Sequence, residues 1–129
     1  MIFGIGQDIC NVKRIEATLK RFGDRFKNRI YTNLEIKKCE SRRNYVDSYA
    51  RRFAAKEACS KALGTGFRKG VYYKDIEVVN LKSGKPTLIL KGGALSQYKL
   101  ITNNNELAKI DLSLTDDNKL ALAIVIISN

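Results

Sequence analysis

The chain has 129 residues, with 24 Lys and Arg against 13 Asp and Glu and no histidine, so its formal net charge is +11. This length suits a single domain over residues 1–129, and a hydrophobic content of 44% argues against intrinsic disorder. The apolar run at residues 120–127 is far too short to cross a bilayer as a helix. The N-terminal residues lack the basic region and long apolar stretch of a signal peptide, so we expect neither export nor a membrane span.

The positions of the cysteines indicate the cellular compartment, and those of the arginines indicate the kind of binding partner. The chain has three cysteines, and none of them forms a CxxC motif with another. Reduced thiols in a cytoplasm are therefore the simplest expectation for Cys10, Cys39 and Cys59. Excess positive charge favours an acidic partner, and nucleic acid, an anionic membrane, a phosphorylated cofactor or an acidic protein would each satisfy it. All nine arginines lie at or before Arg68, which indicates a binding surface in the first half.

The first half of the chain predicts a strand followed by helices. Residues 2–6 indicate a short buried strand, and an amphipathic helix is expected after Asp8. Gly23 is expected to interrupt that helix. Thr32 and Glu35 form the sequence pattern of a capping box, which predicts a further helix start. A long helix is predicted over about residues 47–63, ending at Gly64.

The second half predicts antiparallel strands. Residues 75–81 and 86–91 are β-rich and are joined by KSGK, a plausible hairpin turn. A short helix is expected within 93–101, and residues 109–115 alternate apolar and polar side chains before a final strand at 120–128. Helices followed by hairpins indicate an α+β domain, with an antiparallel sheet and one long central helix.

Glu57 and Lys61 lie on a face of the long helix that otherwise carries apolar side chains, since each residue turns the helix by about 100°. An unpaired buried carboxylate is costly, so Glu57 needs a partner. That partner is either Lys61, in the favourable i,i+4 order, or a metal ion in a crevice.

Asp8 is the best second metal ligand. Its alternative role is to cap the first helix, although Asn11 could do this instead. Without histidine or a cysteine cluster, zinc is not expected. Two carboxylates with water suit magnesium, which commonly binds substrate phosphate oxygens as well.

The glycine turn at residues 64–70 could supply backbone donors to a phosphate, with nearby basic side chains, although its spacing is not that of a P-loop. A helix stop is the alternative role of Gly64. The basic side chains near this turn are Arg52, Lys56, Lys61, Arg68 and Lys69.

The absence of histidine excludes a Ser-His or Cys-His nucleophile system within the chain.

Basic side chains also mark the first helix. Arg14 and Arg21 lie nearly in line, about 100° from the apolar stripe, and Arg25 continues the line if the helix passes through Gly23. A solvated face is one interpretation, and a surface for an acidic helix of a partner protein is the other.

Two stretches carry a family resemblance. GIGQDICNVKRIE resembles the G-x-D-x-x-x-x-x-R-I-E start of the holo-acyl-carrier-protein synthases, and RFAAKEACSKALGTG is similar to their F-x-x-K-E-A-x-x-K-A-x-G-T-G signature. The resemblance covers essentially the whole chain. It implies a 4'-phosphopantetheinyl transferase fold, assembled as a homotrimer with coenzyme A bound between subunits. It also implies magnesium-dependent transfer of the phosphopantetheine arm of coenzyme A to a serine of apo-acyl carrier protein, as in fatty acid biosynthesis.

The resemblance implies a role for each matching residue. Asp8 and Glu57 would be metal ligands and, with Lys61 at the diphosphate, catalytic residues. Coenzyme A would be held by Arg52, Lys56, Lys61, Gly64, Thr65, Gly66 and Pro86. The acidic recognition helix of the carrier protein would meet Arg14, Arg21 and Arg25.

One position departs from the family pattern. Members usually carry a histidine in the final hairpin, where this chain has Asp116. An aspartate there would repel phosphate unless it turns away, and no histidine is left to act as a base. We therefore expect Glu57 or a magnesium-bound water to take the proton of the serine.

Two alternatives come from other functional classes. A small basic nucleic-acid-binding module would explain the charge, but it would need aromatic side chains interleaved with Lys and Arg on a sheet. The second half offers Tyr72, Tyr73 and Tyr98 without that alternation. A structural trimeric adaptor would leave Asp8 and Glu57 unexplained.

Overall fold

The computed structural model describes residues 1–129 without a gap. The chain folds into five strands and five α-helices, with one 3₁₀ turn at Tyr73–Asp75. The elements in chain order are β1 (Ile2–Asn11), α1 (Val12–Phe22), α2 (Asp24–Ile30), α3 (Asn33–Glu40), α4 (Tyr45–Ala62), β2 (Ile76–Asn80), β3 (Pro86–Leu90), α5 (Gly92–Ile101), β4 (Lys109–Asp117) and β5 (Leu120–Ser128).

The strands form two antiparallel sheets rather than one. The larger sheet has the order β1-β5-β4, so the N-terminal strand pairs with the C-terminal one and places Asp8 opposite Ala123. The smaller sheet is the β2–β3 hairpin. The predicted α+β class is confirmed, and every expected element is present.

The first strand is longer than expected, which moves the start of α1. Backbone pairing of β1 with β5 continues from Ile2 to Asn11, so Asp8 lies within the strand and does not cap the helix. Asn11 caps α1 instead, because its side chain accepts a hydrogen bond of 2.9 Å from the Lys13 amide. The strand is also not buried on both sides, since Ile5 and Ile9 are exposed.

The helix boundaries follow the local signals in the sequence. Gly23, with φ of 52°, ends α1 and begins α2, so Arg25 lies on a separate helix. The capping box of α3 is confirmed: Thr32 accepts from the Glu35 amide, and the Glu35 carboxylate accepts from the Thr32 amide. None of the helices combines the length and the hydropathy that crossing a membrane requires.

The long helix α4 lies against the larger sheet at unusually short range. Alanines dominate its buried face, and β1 presents Gly4 and Gly6 to it. A Cβ atom at Gly4 would overlap the carbonyl oxygen of Ala62, and one at Gly6 would overlap that of Ala58. The absence of side chains at these two positions therefore sets the distance between β1 and α4.

Replacing Gly6 by alanine should destabilise the fold, because the new methyl group meets backbone atoms that cannot rotate away. We expect Gly6→Ala to lower the free energy of unfolding by about 3 kcal/mol, at the upper end of typical overpacking costs. Urea unfolding followed by circular dichroism measures this. Gln7→Ala, at the exposed neighbouring position, is the matched control. Equal stability of the two variants would contradict the close-contact explanation.

Candidate active site

Asp8 lies on the face of β1 that points toward α4. Side chains alternate along a strand, so Asp8 shares its face with Gly6 and Cys10. The Asp8 Oδ1 atom lies 3.1 Å from the Lys61 ammonium, which also donates to the Gln7 carbonyl at 3.0 Å. The carboxylate is 17% exposed and the lysine 53%, so this ion pair lies at the edge of the protein.

Glu57 is one turn before Lys61 on α4 but does not pair with it. The i,i+4 pair that was the alternative to metal binding is absent, because the Lys61 side chain turns to β1. Glu57 Oε1 instead accepts a hydrogen bond of 2.8 Å from the Tyr73 hydroxyl. Burial, followed by the hydrogen bond and the charge of Glu57, raises the pKa of Tyr73, so the hydroxyl stays protonated and acts as the donor.

Asp8 and Glu57 line the same cavity of about 270 Å³. Arg14 also lines it, together with the aromatic rings of Phe26 and Phe53. A second cavity of about 480 Å³ adjoins Asp8 and Lys61 and opens over the exposed face of the larger sheet. The structure thus brings together the three residues predicted to be catalytic from segments about fifty positions apart in the chain.

The donor set of this cavity fits magnesium. Both carboxylates offer hard oxygen ligands, and Cys10 lines the same cavity. No group of three or more His, Cys, Asp or Glu side chains that could hold a metal ion occurs in the structure, so an ion here would depend on water and substrate oxygens for its other ligands. Magnesium commonly uses one or two carboxylates and completes its octahedron with water and substrate phosphates. Asp8 and Glu57 would hold such an ion, with open positions for a phosphorylated substrate.

Arg52 and Pro86 line a separate crevice of about 230 Å³. Arg52 is only 5% exposed and donates to the Ser48 hydroxyl at 2.6 Å, while its Nε atom has no partner. Arg42 and Arg51 also line this crevice. Sequence reasoning missed both of them, although the concentration of arginine in the first half was the signal for them.

Asp116 lies at the same crevice and faces Arg51. The Arg51 Nη1 atom is 3.8 Å from Asp116 Oδ1, and the aspartate side chain is 54% exposed. A pair this long and this exposed is weak. Arg51 therefore offsets the negative charge at the position of the missing histidine only slightly.

Lys56 lines neither cavity, so the structure gives no support to its predicted role in binding coenzyme A. Its side chain is fully buried, and Nζ lies 2.7 Å from Glu35 Oε1. The ammonium also donates to the carbonyls of Tyr73 and Ile76, so all three of its protons are used. Burial lowers the pKa of Lys56, against the raising effect of Glu35. Lys56 is a structural cross-link between α4, α3 and β2.

Two backbone amides of the glycine turn after α4 already donate hydrogen bonds to carbonyls of the chain itself. The amide of Gly64 donates to the Lys61 carbonyl and that of Gly66 to the Ser60 carbonyl, both at 3.0 Å. Gly64 and Gly66 have positive φ angles, as expected of a helix stop. The predicted phosphate-binding residues of this turn are Gly64, Thr65 and Gly66, and of their amides only that of Thr65 takes no part in these hydrogen bonds.

The three predicted partner-binding arginines do not form one line. Arg14 lies at the cavity of Asp8 and Glu57. Arg21 places its guanidinium 5.0 Å from the ring centroid of Phe22. Arg25 lines a shallow groove of about 240 Å³ between α1 and α2, because Gly23 breaks the helix before it.

Substituting the two lysines on either side of Glu57 should lower the free energy of unfolding by very different amounts. Lys56→Met leaves Glu35 buried without its counter-ion and should cost roughly 3–5 kcal/mol of unfolding free energy. Lys61→Met removes an exposed pair and should cost less than about 1 kcal/mol. Urea unfolding of both variants tests this, and a Lys56→Met protein as stable as Lys61→Met would contradict the structural role.

Comparison with known proteins gives the family. A sequence model of the 4'-phosphopantetheinyl transferase superfamily matches residues 4–125. The holo-[acyl-carrier-protein] synthase of Parvibaculum lavamentivorans is 57% identical over 128 residues, covering 99% of this chain and 96% of that protein. The corresponding protein of Rhizobium meliloti is 55% identical over 127 residues, covering 98% of this chain and 91% of its own length.

Solved structures give the same result. The holo-[acyl-carrier-protein] synthase of Neisseria meningitidis superposes with a TM-score of 0.86 at 36% identity, covering all of both chains. The Helicobacter pylori enzyme in complex with coenzyme A superposes with a TM-score of 0.81 at 31% identity, covering 96% of this chain and 99% of that one. The chain therefore belongs to the 4'-phosphopantetheinyl transferase superfamily and, within it, to the holo-[acyl-carrier-protein] synthases.

Proposed function

We propose that this protein transfers the 4'-phosphopantetheine arm of coenzyme A to a serine hydroxyl of apo-acyl carrier protein in the cytoplasm, with magnesium as the metal. The serine oxygen forms a bond to the phosphorus that carries pantetheine. The bond to the bridging oxygen of the diphosphate breaks, and adenosine 3',5'-bisphosphate leaves. The observation that carries this proposal is the convergence of Asp8, Glu57 and Lys61 at neighbouring cavities in a member of this family.

Each of these side chains has a role that its position allows. The proton of the attacking serine passes to Glu57 or to a water that a bound magnesium would hold, because the Glu57 carboxylate lines the cavity and the chain has no histidine. Lys61 stabilises the negative charge that develops on the departing phosphate, since its exposed ammonium can reach a diphosphate beside Asp8. Asp8 and Glu57 would hold magnesium, which would supply further charge neutralisation at the diphosphate.

The arginine crevice suits the nucleotide end of coenzyme A. Arg52 is already oriented by Ser48 and leaves Nε unpaired, and Arg42 adds a second guanidinium. Guanidinium groups bind phosphates through paired hydrogen bonds. We assign the 3'-phosphate to these arginines, the adenine to the surface beside Pro86, and the diphosphate to Lys61 and the Thr65 amide.

The exposed face of the larger sheet suits self-association. Ile5 and Ile9 on β1 and Leu122 and Ile124 on β5 are between 36% and 63% exposed, and they lie side by side. Contiguous apolar side chains at a protein surface are typical of interaction sites. We propose that further copies of the chain cover this face in a homotrimer.

The nucleic-acid-binding alternative has less support in the structure. Strands β2 to β5 carry no aromatic side chain, and the only one on β1 is Phe3, which packs against the core, so neither sheet offers a platform on which bases stack. Tyr73 is committed to Glu57 and to a stack with other rings.

Intact-mass spectrometry tests the proposed reaction directly. Apo-acyl carrier protein incubated with this protein, coenzyme A and magnesium should gain the mass of one phosphopantetheine arm. EDTA or Asp8→Ala should abolish the gain, because the metal site is lost. Glu57→Gln should slow the reaction roughly 10²–10⁴-fold, as expected for removal of a general base.

Asp116→Ala is the matched control in the same assay. It should keep its kcat, because Asp116 faces Arg51 rather than the cavity of Glu57. Only the KM for coenzyme A should change, because Asp116 lines the crevice assigned to the 3'-phosphate. An essential Asp116 would contradict the assignment of the base to Glu57. No mass gain on any acyl carrier protein would refute the transferase function itself.

The basic first helix predicts how the carrier protein is recognised. Arg21→Glu should raise the KM for acyl carrier protein about tenfold, equivalent to about 1.4 kcal/mol, and should reduce the dependence of KM on salt. Steady-state kinetics at two ionic strengths measure this. Lys38→Glu makes the same charge change at an exposed position on α3 and should behave like the wild type. Equal effects of both variants would point to net charge rather than docking on α1.

A further inference from the structure

We propose that Tyr73 is a positioning residue of this reaction, whose hydroxyl holds the Glu57 carboxylate so that one oxygen, Oε2, is presented to the metal ion. This inference rests on the proposed function. It concerns a residue outside both sequence motifs, in the 3₁₀ turn before β2. In the sequence, Tyr73 was considered only as a possible base-stacking side chain, and no catalytic role was predicted for it.

The contact between the two side chains is direct. The Tyr73 hydroxyl donates to Glu57 Oε1 at 2.8 Å. Glu57 takes part in no ion pair, so Tyr73 is the side chain that orients its carboxylate. A free glutamate at a cavity wall would sample several rotamers, and a hydrogen bond to one oxygen removes most of that freedom.

The ring of Tyr73 is itself held by a stack of aromatic side chains. Its centroid is 3.7 Å from that of Phe67 and 5.8 Å from that of Phe53, with interplanar angles of 20° in both cases. Phe53 belongs to α4, one turn before Glu57, whereas Phe67 follows the glycine turn. The stack therefore fixes the hydroxyl relative to the same helix that carries Glu57.

The backbone of Tyr73 is anchored by the buried lysine. Lys56 donates to the Tyr73 carbonyl at 2.9 Å and pairs with the fully buried Glu35. Lys56 precedes Glu57 directly on α4. Two successive residues of one helix thus bind the two ends of Tyr73, the first through the tyrosine carbonyl and the second through its hydroxyl.

This arrangement determines how Glu57 can bind a cation. With Oε1 committed to Tyr73, the carboxylate offers Oε2 as a single ligand. Magnesium requires near-ideal octahedral geometry and is bound through few carboxylate oxygens, so a fixed monodentate ligand suits it. Partners that orient a metal ligand in this way commonly account for 10- to 100-fold in metal affinity.

The alternative is that Tyr73 only fills space in the aromatic stack. Tyr73→Phe separates the two explanations, because it keeps the ring and removes the hydroxyl alone. Tyr72→Phe is the matched control, since Tyr72 is the neighbouring residue and is 69% exposed.

The experiment is a titration of the full-length protein with Mn²⁺ in the presence of coenzyme A, followed by electron paramagnetic resonance. Thermal unfolding and the KM for magnesium are measured in parallel. We expect Tyr73→Phe to weaken Mn²⁺ binding about tenfold. It should raise the KM for magnesium with little change in the KM for acyl carrier protein. Tyr72→Phe should match the wild type, and both variants should unfold at the wild-type temperature.

A double-mutant cycle with Glu57→Gln shows whether Tyr73 acts through Glu57. In the Glu57→Gln background, Tyr73→Phe should cause no further loss of Mn²⁺ affinity. Wild-type affinity in Tyr73→Phe, or a further loss in the double variant, would overturn the proposal. A loss of affinity that accompanies a lower unfolding temperature and appears equally in both backgrounds would also overturn it, in favour of a structural role.

The two proposals fail in different ways. If the wild type binds Mn²⁺ through Tyr73 and Glu57 but modifies no acyl carrier protein, the transferase function is refuted and the positioning role is not. If the wild type transfers phosphopantetheine and Tyr73→Phe is indistinguishable from it in metal binding, only the positioning role is refuted.

Discussion

The close approach of β1 to α4 is the constraint on which the site depends. Gly4 and Gly6 leave no side chain between the strand and the carbonyls of Ala58 and Ala62. The next residue on the same face of the strand is Asp8, so its carboxylate comes within reach of Lys61. A larger residue at either glycine would move the strand outward and separate two charged groups for which we propose a joint role.

The charged side chains of α4 point in different directions, because each residue turns the helix by about 100°. Lys56 points into the core, where Glu35 and two carbonyls offset the cost of removing an ammonium from water. Glu57, the next residue, points into a cavity, and Lys61 lies at the edge of the protein. The buried pair connects α4 to the capping box of α3, because Glu35 also closes that box. A buried structural charge and the charges of the proposed active site therefore share one short motif.

The positive charge of the chain is concentrated in two places that suit two different anions. The crevice of Arg42, Arg51 and Arg52 is narrow, and one of its guanidinium groups is almost fully buried, as expected for a site that removes a phosphate from water. The arginines of α1 and α2 are exposed beside aromatic rings, as expected for a protein surface that attracts a partner over longer range. Asp8 and Glu57 line a cavity beside Arg14, and a cation bound there would compensate their negative charge.

The sequence by itself determined the α+β class, the strand and helix order and the capping box at Thr32, because these depend on local periodicity and capping patterns. Its two motifs also singled out Asp8, Glu57 and Lys61 as candidate site residues. The tertiary structure decided which charges meet. Periodicity places Glu57 and Lys61 on one helix face, but only the packing of β1 turns Lys61 to Asp8 and leaves Glu57 to Tyr73. Spacing alone likewise could not separate the buried Lys56 from the accessible Lys61, since burial depends on neighbours that are distant in the chain.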